Sequence, residues 1–246
     1  MIAFVQARMG STRLPGKILK ELPNGQTLIE RIFQQIADSG HTPYLITSEN
    51  VENQALISLA TRNHWPYFQG DETDVLHRFI AAAEHFSIQP STHILRICAD
   101  NPFISKTLIN DTVLLSHQFP NADYLSYAFH QIPGIKLHAG IFSEIVKISA
   151  LQAIHLSNNP WFNEHVTIGI YSNPELFNVQ LLEIPEPWQD RFEEIRLTID
   201  DDVDWQLAQD LFPIFQNQDF SEFRTTLLSN KNWVNLMAKQ IAKYQK

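Results

Sequence analysis

The chain opens Met1-Ile2-Ala3-Phe4-Val5-Gln6-Ala7-Arg8-Met9-Gly10-Ser11-Thr12-Arg13-Leu14-Pro15-Gly16-Lys17, and the reading of this stretch organises everything after it. A short apolar run breaks off into a loop holding two glycines, a proline, two hydroxyls and three cations. Such a stretch reads as a core strand that delivers the chain to a polyphosphate. Gly10 and Gly16 let backbone N–H groups approach an anion, and Arg8, Arg13 and Lys17 supply charge-assisted donors. The spacing fails a Walker A loop: five residues separate Gly10 from Gly16-Lys17, one more than that motif has, and Ile18 stands where a Ser or Thr would hold magnesium. A P-loop NTPase is therefore excluded. The plain alternative is a glycine-containing turn with surface cations.

Charge distribution narrows the ligand. A formal net charge of −9 argues against a general nucleic-acid binder, which needs a basic surface. Yet Arg8, Arg13, Lys17 and Lys20 all precede the first acid, Glu21. A basic pocket in an acidic protein suits a small polyanion better than a long polymer. With 246 residues, 44% of them hydrophobic and 18% charged, the chain is long and apolar enough to bury a sizeable core. Proline is scattered, and no repeat, low-complexity segment or linker interrupts the sequence. The expectation is one domain over 1–246, with C-terminal helices from about 220. Cys98 is the only cysteine, so there is no intramolecular disulfide and no cysteine-based zinc site, and a reducing cytoplasm is the expected compartment. The first apolar run stops at Val5, unlike a signal peptide, and no run approaches the roughly 18 apolar residues of a membrane helix. No membrane insertion is expected.

Downstream, helical and strand patterns alternate. Thr27 to Ala37 has Leu28, Ile32, Phe33 and Ile36 at helical spacing behind a Thr27/Glu30 capping box. Pro43 to Thr47 reads as a strand, Val51 to Arg62 as a helix, and Tyr67-Phe68 as a short strand. Ile94 to Cys98 reads as a buried parallel strand, Asp123 to Ser126 as another, and Leu137 to Phe142 as a third, with Ser143 beginning a helix toward Ile154. Glu194 to Asp200 alternates like a strand, and helices are expected to about Phe215 and from Phe220 to Gln245. Strands alternating with helices indicate βαβ units and a mostly parallel sheet.

Polar residues at strand ends carry the chemistry. Asp100 follows the strand ending at Cys98, where open α/β sheets bind ligands; Ser105 is the better cap for the next helix, which leaves Asp100 for a metal or a hydroxyl. Asp200, Asp201, Asp202 and Asp204 place four carboxylates in five positions, which repel unless a cation neutralises them. Asp202 and Asp204 also suit the first turn of a helix, so Asp200 is the candidate ligand. Asp71 and Glu72 suit either the first turn of a helix, where the dipole favours acids, or a functional role. Arg78 sits among Val75, Leu76 and Phe79, either as a site cation or as a surface partner of Asp74. Cys98 reads as strand packing, and His165, among aromatics, as structural or catalytic.

Five segments in order, Gln6 to Lys17, Asp74 to Arg78, Arg96 to Pro102, Glu164 to Thr167 and Leu197 to Asp200, resemble the cytidylyltransferase family that activates acidic sugars. The likeness is to its spore-coat polysaccharide branch, related to acylneuraminate and 3-deoxy-manno-octulosonate cytidylyltransferases. That resemblance implies an α/β, Rossmann-like nucleotide-diphosphosugar transferase fold, a mostly parallel mixed sheet sandwiched by helices. It implies nucleotide binding by Ala7, Arg8, Met9, Gly10, Ser11, Arg13, Lys17, Arg78 and Arg96. It also implies Mg2+ held by Asp100 and Asp200, which with Lys17 form the catalytic set. The substrates implied are CTP and an acidic sugar, and a homodimer is left open. One departure stands on the acceptor side, where Lys136 and His138 replace acids, near His165. They would read an acceptor carboxylate, or mark a changed substrate or a lost activity. A uridylyl- or thymidylyltransferase acting on a sugar 1-phosphate, and a catalytically degenerate nucleotide-binding module, remain the alternatives.

Overall fold

The computed structural model describes residues 1–157 and 159–244. The opening run forms β1 (Ile2–Gln6), with Ala3, Phe4 and Val5 fully buried. Burial on both faces is what a central strand of a parallel sheet requires. β1 pairs in parallel with β2 (Thr42–Ser48), which carries β3 (Tyr67–Gly70) on its outer side, and on the other flank with β4 (His93–Cys98). The crossovers are α1 (Leu28–Asp38), α2 (Gln54–Arg62) and α3 (Val75–His85). The capping box at α1 forms as expected: Thr27 accepts from the Glu30 N–H, and Glu30 Oε2 accepts from the Thr27 N–H at 2.9 Å. Such a cap contributes about 0.5–2 kcal/mol.

Ser105 caps α4 (Lys106–Ser116), which leads to β5 (Tyr124–Phe129) and the two-residue β6 (Ile132–Pro133). β7 (Glu144–Lys147) inserts antiparallel between β4 and β5, and β8 (Val179–Glu183) runs parallel to β5. The sheet of eight strands follows the order β3-β2-β1-β4-β7-β5-β6, with β8 on β5. Around it lie α5 (Ile148–His155), the single turns α6 (Trp161–Glu164), α7 (Ile168–Tyr171) and α8 (Glu186–Gln189), then α9 (Asp202–Phe215), α10 (Phe220–Ser229) and α11 (Lys231–Lys243). Alternate residues of β1 feed opposite cores. Ala3 and Val5 join α1, α2, α4, α9 and α10, whereas Phe4 joins α3, α5 and α7. This is the helix–sheet–helix sandwich that the alternating patterns require.

Two expected strands do not form, and one helix starts later. Residues 137–139 form a bend and turn and 140–142 are unpaired in the ladder, because Gly140 at φ +59 breaks the run and β7 already occupies the edge of β5. Glu144 to Lys147, expected in a helix, is β7 instead, and the helix begins at Ile148. The segment 195–200 buries Arg196 and Thr198 as well as Ile195, Leu197 and Ile199, and spends its donors on loops: Leu197 N–H on His138 O at 3.0 Å and Ile199 N–H on Asp100 O at 3.1 Å. The one or two helices expected from Phe220 to Gln245 are two, α10 and α11, with Gln245 and Lys246 outside the described residues.

A Cβ on Gly140 would stand 2.6 Å from Thr198 Cγ2 and 2.8 Å from Asn101 Oδ1. Gly140→Ala is therefore expected to lower the unfolding free energy by about 1–3 kcal/mol, read as a shifted urea midpoint at unchanged slope. An unshifted midpoint would show that residues 137–142 are free to move off the 195–200 segment.

Candidate active site

The carboxyl ends of β1 and β4 open onto one cleft with two lobes, the position at which parallel sheets bind ligands. The smaller lobe, of about 270 Å³, is lined by Ala7, Arg8, Gly10, Ser11, Arg13 and Lys17, with Arg78, Asp100, Glu164 and Asp200. The larger, of about 550 Å³, shares Gln6, Arg13, Asp100, Glu164 and Asp200 with it and adds Arg96, Lys136, Trp161, His165 and Tyr171. Most of the expected nucleotide residues thus meet on one wall. Met9 does not: its side chain packs on the core and its N–H donates to Asn53 Oδ1 at 2.8 Å.

The loop uses its glycines differently from the expectation. The Gly16 N–H donates to Met9 O at 3.3 Å, so it serves the loop's own turn and not an anion. Its φ of +67 lets the chain enter a 3₁₀ turn, Lys17–Leu19, that aims Lys17 back at the cleft. There Lys17 Nζ donates to Ile199 O at 2.6 Å and lies 3.3 Å from Asp100 Oδ2. Arg13 Nη2 donates to Asp200 Oδ1 at 2.5 Å, and Arg8 Nη1 lies 3.6 Å from Glu72 Oε1. Each cation of the opening loop is therefore matched by a carboxylate from a distant part of the chain.

Asp200 accepts on its other oxygen from Arg196 Nη2 at 2.8 Å. Burial alone would raise its carboxyl; the hydrogen bond from Arg196 and the charges of Lys17, Arg13 and Arg196 more than offset this and hold it below the usual range. The crowding of acids in this segment is relieved by protein cations: Arg196 Nε and Nη2 clamp Asp204 at 2.9 and 2.7 Å, and Lys243 Nζ donates to Asp201 at 2.7 Å. Asp204 is buried against Arg196, and Asp201 caps α9.

Several candidates take other places. Arg78 is buried; its Nε and Nη2 donate to Asp71 O and Glu72 O at 2.8 and 2.9 Å, so it shapes the turn before α3. Asp74 does not pair with it but caps α3, accepting from the His77 N–H at 2.8 Å. Asp71 folds that same turn by accepting from Thr73 and Asp74 N–H groups, and Glu72 meets Arg8 and Ser48. Arg96 lines the larger lobe, donating to Glu144 Oε2 and, at 3.0 Å, to Gln6 Oε1. His138 faces Arg196, with Nδ1 2.7 Å from Nη1, while Lys136 and His165 line the larger lobe. The sequence reading missed Glu144, which also accepts from Tyr124 Oη and Thr167 Oγ1, along with Tyr171 and Trp161. An acid opening an apolar Glu-Ile-Val-Lys run was the available signal, and only the β4–β7 register sets it opposite Arg96.

The donors present fit magnesium by their chemistry. Asp100 and Asp200 face the same cleft, and beside them Asn101 Oδ1 and Thr198 Oγ1 are buried oxygens without a hydrogen-bond partner. An all-oxygen set that leaves room for waters and phosphates suits this ion. Among the described residues no group of three or more His, Cys, Asp or Glu converges, so a metal here rests on that pair of carboxylates.

A family model for cytidylyltransferases matches residues 2–233. The chain belongs to the cytidylyltransferase family. The enzyme is a nucleotidyltransferase, 32% identical over 238 residues to the spore coat polysaccharide biosynthesis protein SpsF of Bacillus subtilis (strain 168), covering 94% of this chain and 95% of that one. It is 34% identical over 216 residues to an uncharacterized protein of Methanocaldococcus jannaschii, covering 86% and 82%. The fold of this cytidylyltransferase matches that of one from Leptospira borgpetersenii serovar Hardjo-bovis, with TM-score 0.78, 23% identity and coverage of 95% and 96%. It also matches CMP:2-keto-3-deoxy-manno-octonic acid synthetase in complex with CTP, with TM-score 0.60, 13% identity and coverage of 88% and 99%. No helix among the described residues is long and apolar enough to cross a membrane.

Asp201 is held well below the usual carboxylate range. Burial opposes this, and donors from Lys243, the Asp204 N–H, Tyr244 and Gln240 outweigh it. A carboxyl lowered in the folded state adds stability that is complete above the unfolded pKa and is lost as pH falls through that value toward the folded one. Thermal midpoints should accordingly drop as pH falls below about 4, and Asp201→Asn should flatten that acid limb while lowering the midpoint near neutrality. Parallel curves for the two proteins would show that other groups drive the acid response.

Proposed function

We propose that this enzyme transfers CMP from CTP to a hydroxyl of an acidic sugar of the nonulosonic or octulosonic type, releasing pyrophosphate, in the synthesis of a surface polysaccharide. The observation that carries this reading is the matched set of Lys17 with Asp100 and Arg13 with Asp200 across one cleft at the strand ends. Such a set can hand its cations to a triphosphate and its carboxylates to a metal in a single exchange. The names of the relatives agree, one in spore coat polysaccharide biosynthesis and one a CMP-sugar-acid synthetase with CTP bound.

Asp100 and Asp200 would hold magnesium. Bound there, it would supply positive charge against that developing on the phosphates. Lys17 and Arg13 then turn from their carboxylates to the phosphates and stabilise the departing pyrophosphate. The sugar hydroxyl attacks the α-phosphorus in line and loses its proton to solvent, a new P–O bond forming as the bond to pyrophosphate breaks. On the acceptor side Lys136 is the cation with charge to spare for a sugar carboxylate, since Arg96 is engaged by Glu144 and Gln6. His165 and Trp161 complete that wall, and His138 supports Arg196 from behind.

Pyrophosphate release, measured for each nucleoside triphosphate against a panel of nonulosonic and octulosonic acids, should be fastest with CTP. Asp100→Asn and Asp200→Asn should each lower turnover by about 100-fold or more with circular dichroism unchanged. Lys17→Ala should weaken CTP binding by about tenfold. Near-normal turnover in both aspartate variants would remove them from the metal, and CTP binding without turnover on any acceptor would leave a nucleotide-binding module.

A further inference from the structure

The C-terminal helix α11 reaches the cleft from behind. Gln240 Nε2, Lys243 Nζ and Tyr244 Oη donate to the Asp201 carboxylate at 2.7, 2.7 and 2.8 Å. Asp201 adjoins Asp200 and accepts at 3.0 Å from the Val203 and Asp204 N–H groups, so these donors fix the backbone that carries the cleft carboxylate. The Tyr244 ring meets two guanidinium groups, those of Arg13 and Arg196, each 4.8 Å from its centroid. Both arginines donate to Asp200. One aromatic side chain thus supports both cations that flank the carboxylate. Tyr244 lies beyond the residues 2–233 matched by the family model and lines neither lobe.

We propose that Tyr244 is a positioning residue for nucleotidyl transfer, and that α11 is a strap setting where Arg13 and Asp200 stand when the triphosphate arrives. The proposal rests on the reading of the cleft as a CTP site. Arg13 is a long side chain on a loop, half-exposed at 54%, and ordering such a chain on a ligand costs rotamer entropy. A ring face orders it beforehand. The contact also persists through the exchange, because the π face engages the guanidinium plane and leaves its N–H groups free to turn from Asp200 to phosphate. The two ends of Tyr244 act separately: the ring on Arg13, the hydroxyl on Asp201.

The test uses the full chain as wild type, Tyr244→Phe, Tyr244→Leu, Arg13→Ala and the Tyr244→Leu/Arg13→Ala double variant. CTP affinity is read by calorimetry, and KM and kcat by pyrophosphate release. Tyr244→Leu should weaken CTP binding about threefold to thirtyfold and move KM more than kcat. Tyr244→Phe should restore most of that loss. With Arg13 already removed, Tyr244→Leu should change affinity by less than about twofold. Equal losses with and without Arg13 would overturn the proposal, as would a lowered unfolding midpoint with CTP affinity kept within about twofold. Should wild type bind no CTP, the functional reading fails on its own. The strap is then judged in the nucleotide-free protein: non-additive unfolding free energies for Tyr244 and Arg13 support it, and additive ones overturn it.

Discussion

The structure turns on the neutralisation of one cleft. Lys17 and Arg13 are brought against Asp100 and Asp200 across sequence separations of 83 and 187 residues. Cations alone at these strand ends would repel one another, as would the carboxylates alone, and either set would stand partly out of water. Together they neutralise one another across the cleft.

Behind the cleft the buried ions have a different role. Arg96 and Glu144 face each other where β4 and β7 run antiparallel; Tyr124 and Thr167 also donate to Glu144, and Gln6 accepts from Arg96. A buried pair of this kind adds little net stability, but breaking it costs about 3–5 kcal/mol, because one charge is left behind. The strand that interrupts the parallel sheet is thus tied to the floor of the larger lobe. Arg196 works in the same manner under Asp200 and Asp204.

Local chemistry made much of this legible. The apolar run before Arg8, the capping box at Thr27, the Ser105 cap and the placement of Asp100 after β4 each depend on a few neighbouring residues, and each took the expected form. Less legible was the engagement of Arg78, which lines the smaller lobe with its Nε and Nη2 held by Asp71 O and Glu72 O, because no side-chain pattern reveals backbone acceptors. Residues 137–142 and 195–200 have strand-like alternation, but they lie beside each other and Asp100 without joining the ladder, a consequence of Gly140 and of an edge already taken.

By itself the sequence determined β1 to β4 with their crossover helices, the cationic opening loop and the acid that follows β4, because periodicity, caps and residue charge act over a few positions. The tertiary structure alone decided which charges meet. Only packing could set Arg13 on Asp200, turn His138 toward Arg196 and leave Lys136 lining the larger lobe. Only packing brought Tyr244 from the far end of the chain to the opening loop. Ion pairs and π contacts need their partners within a few ångströms of each other, and a linear sequence holds no record of distances between residues so far apart.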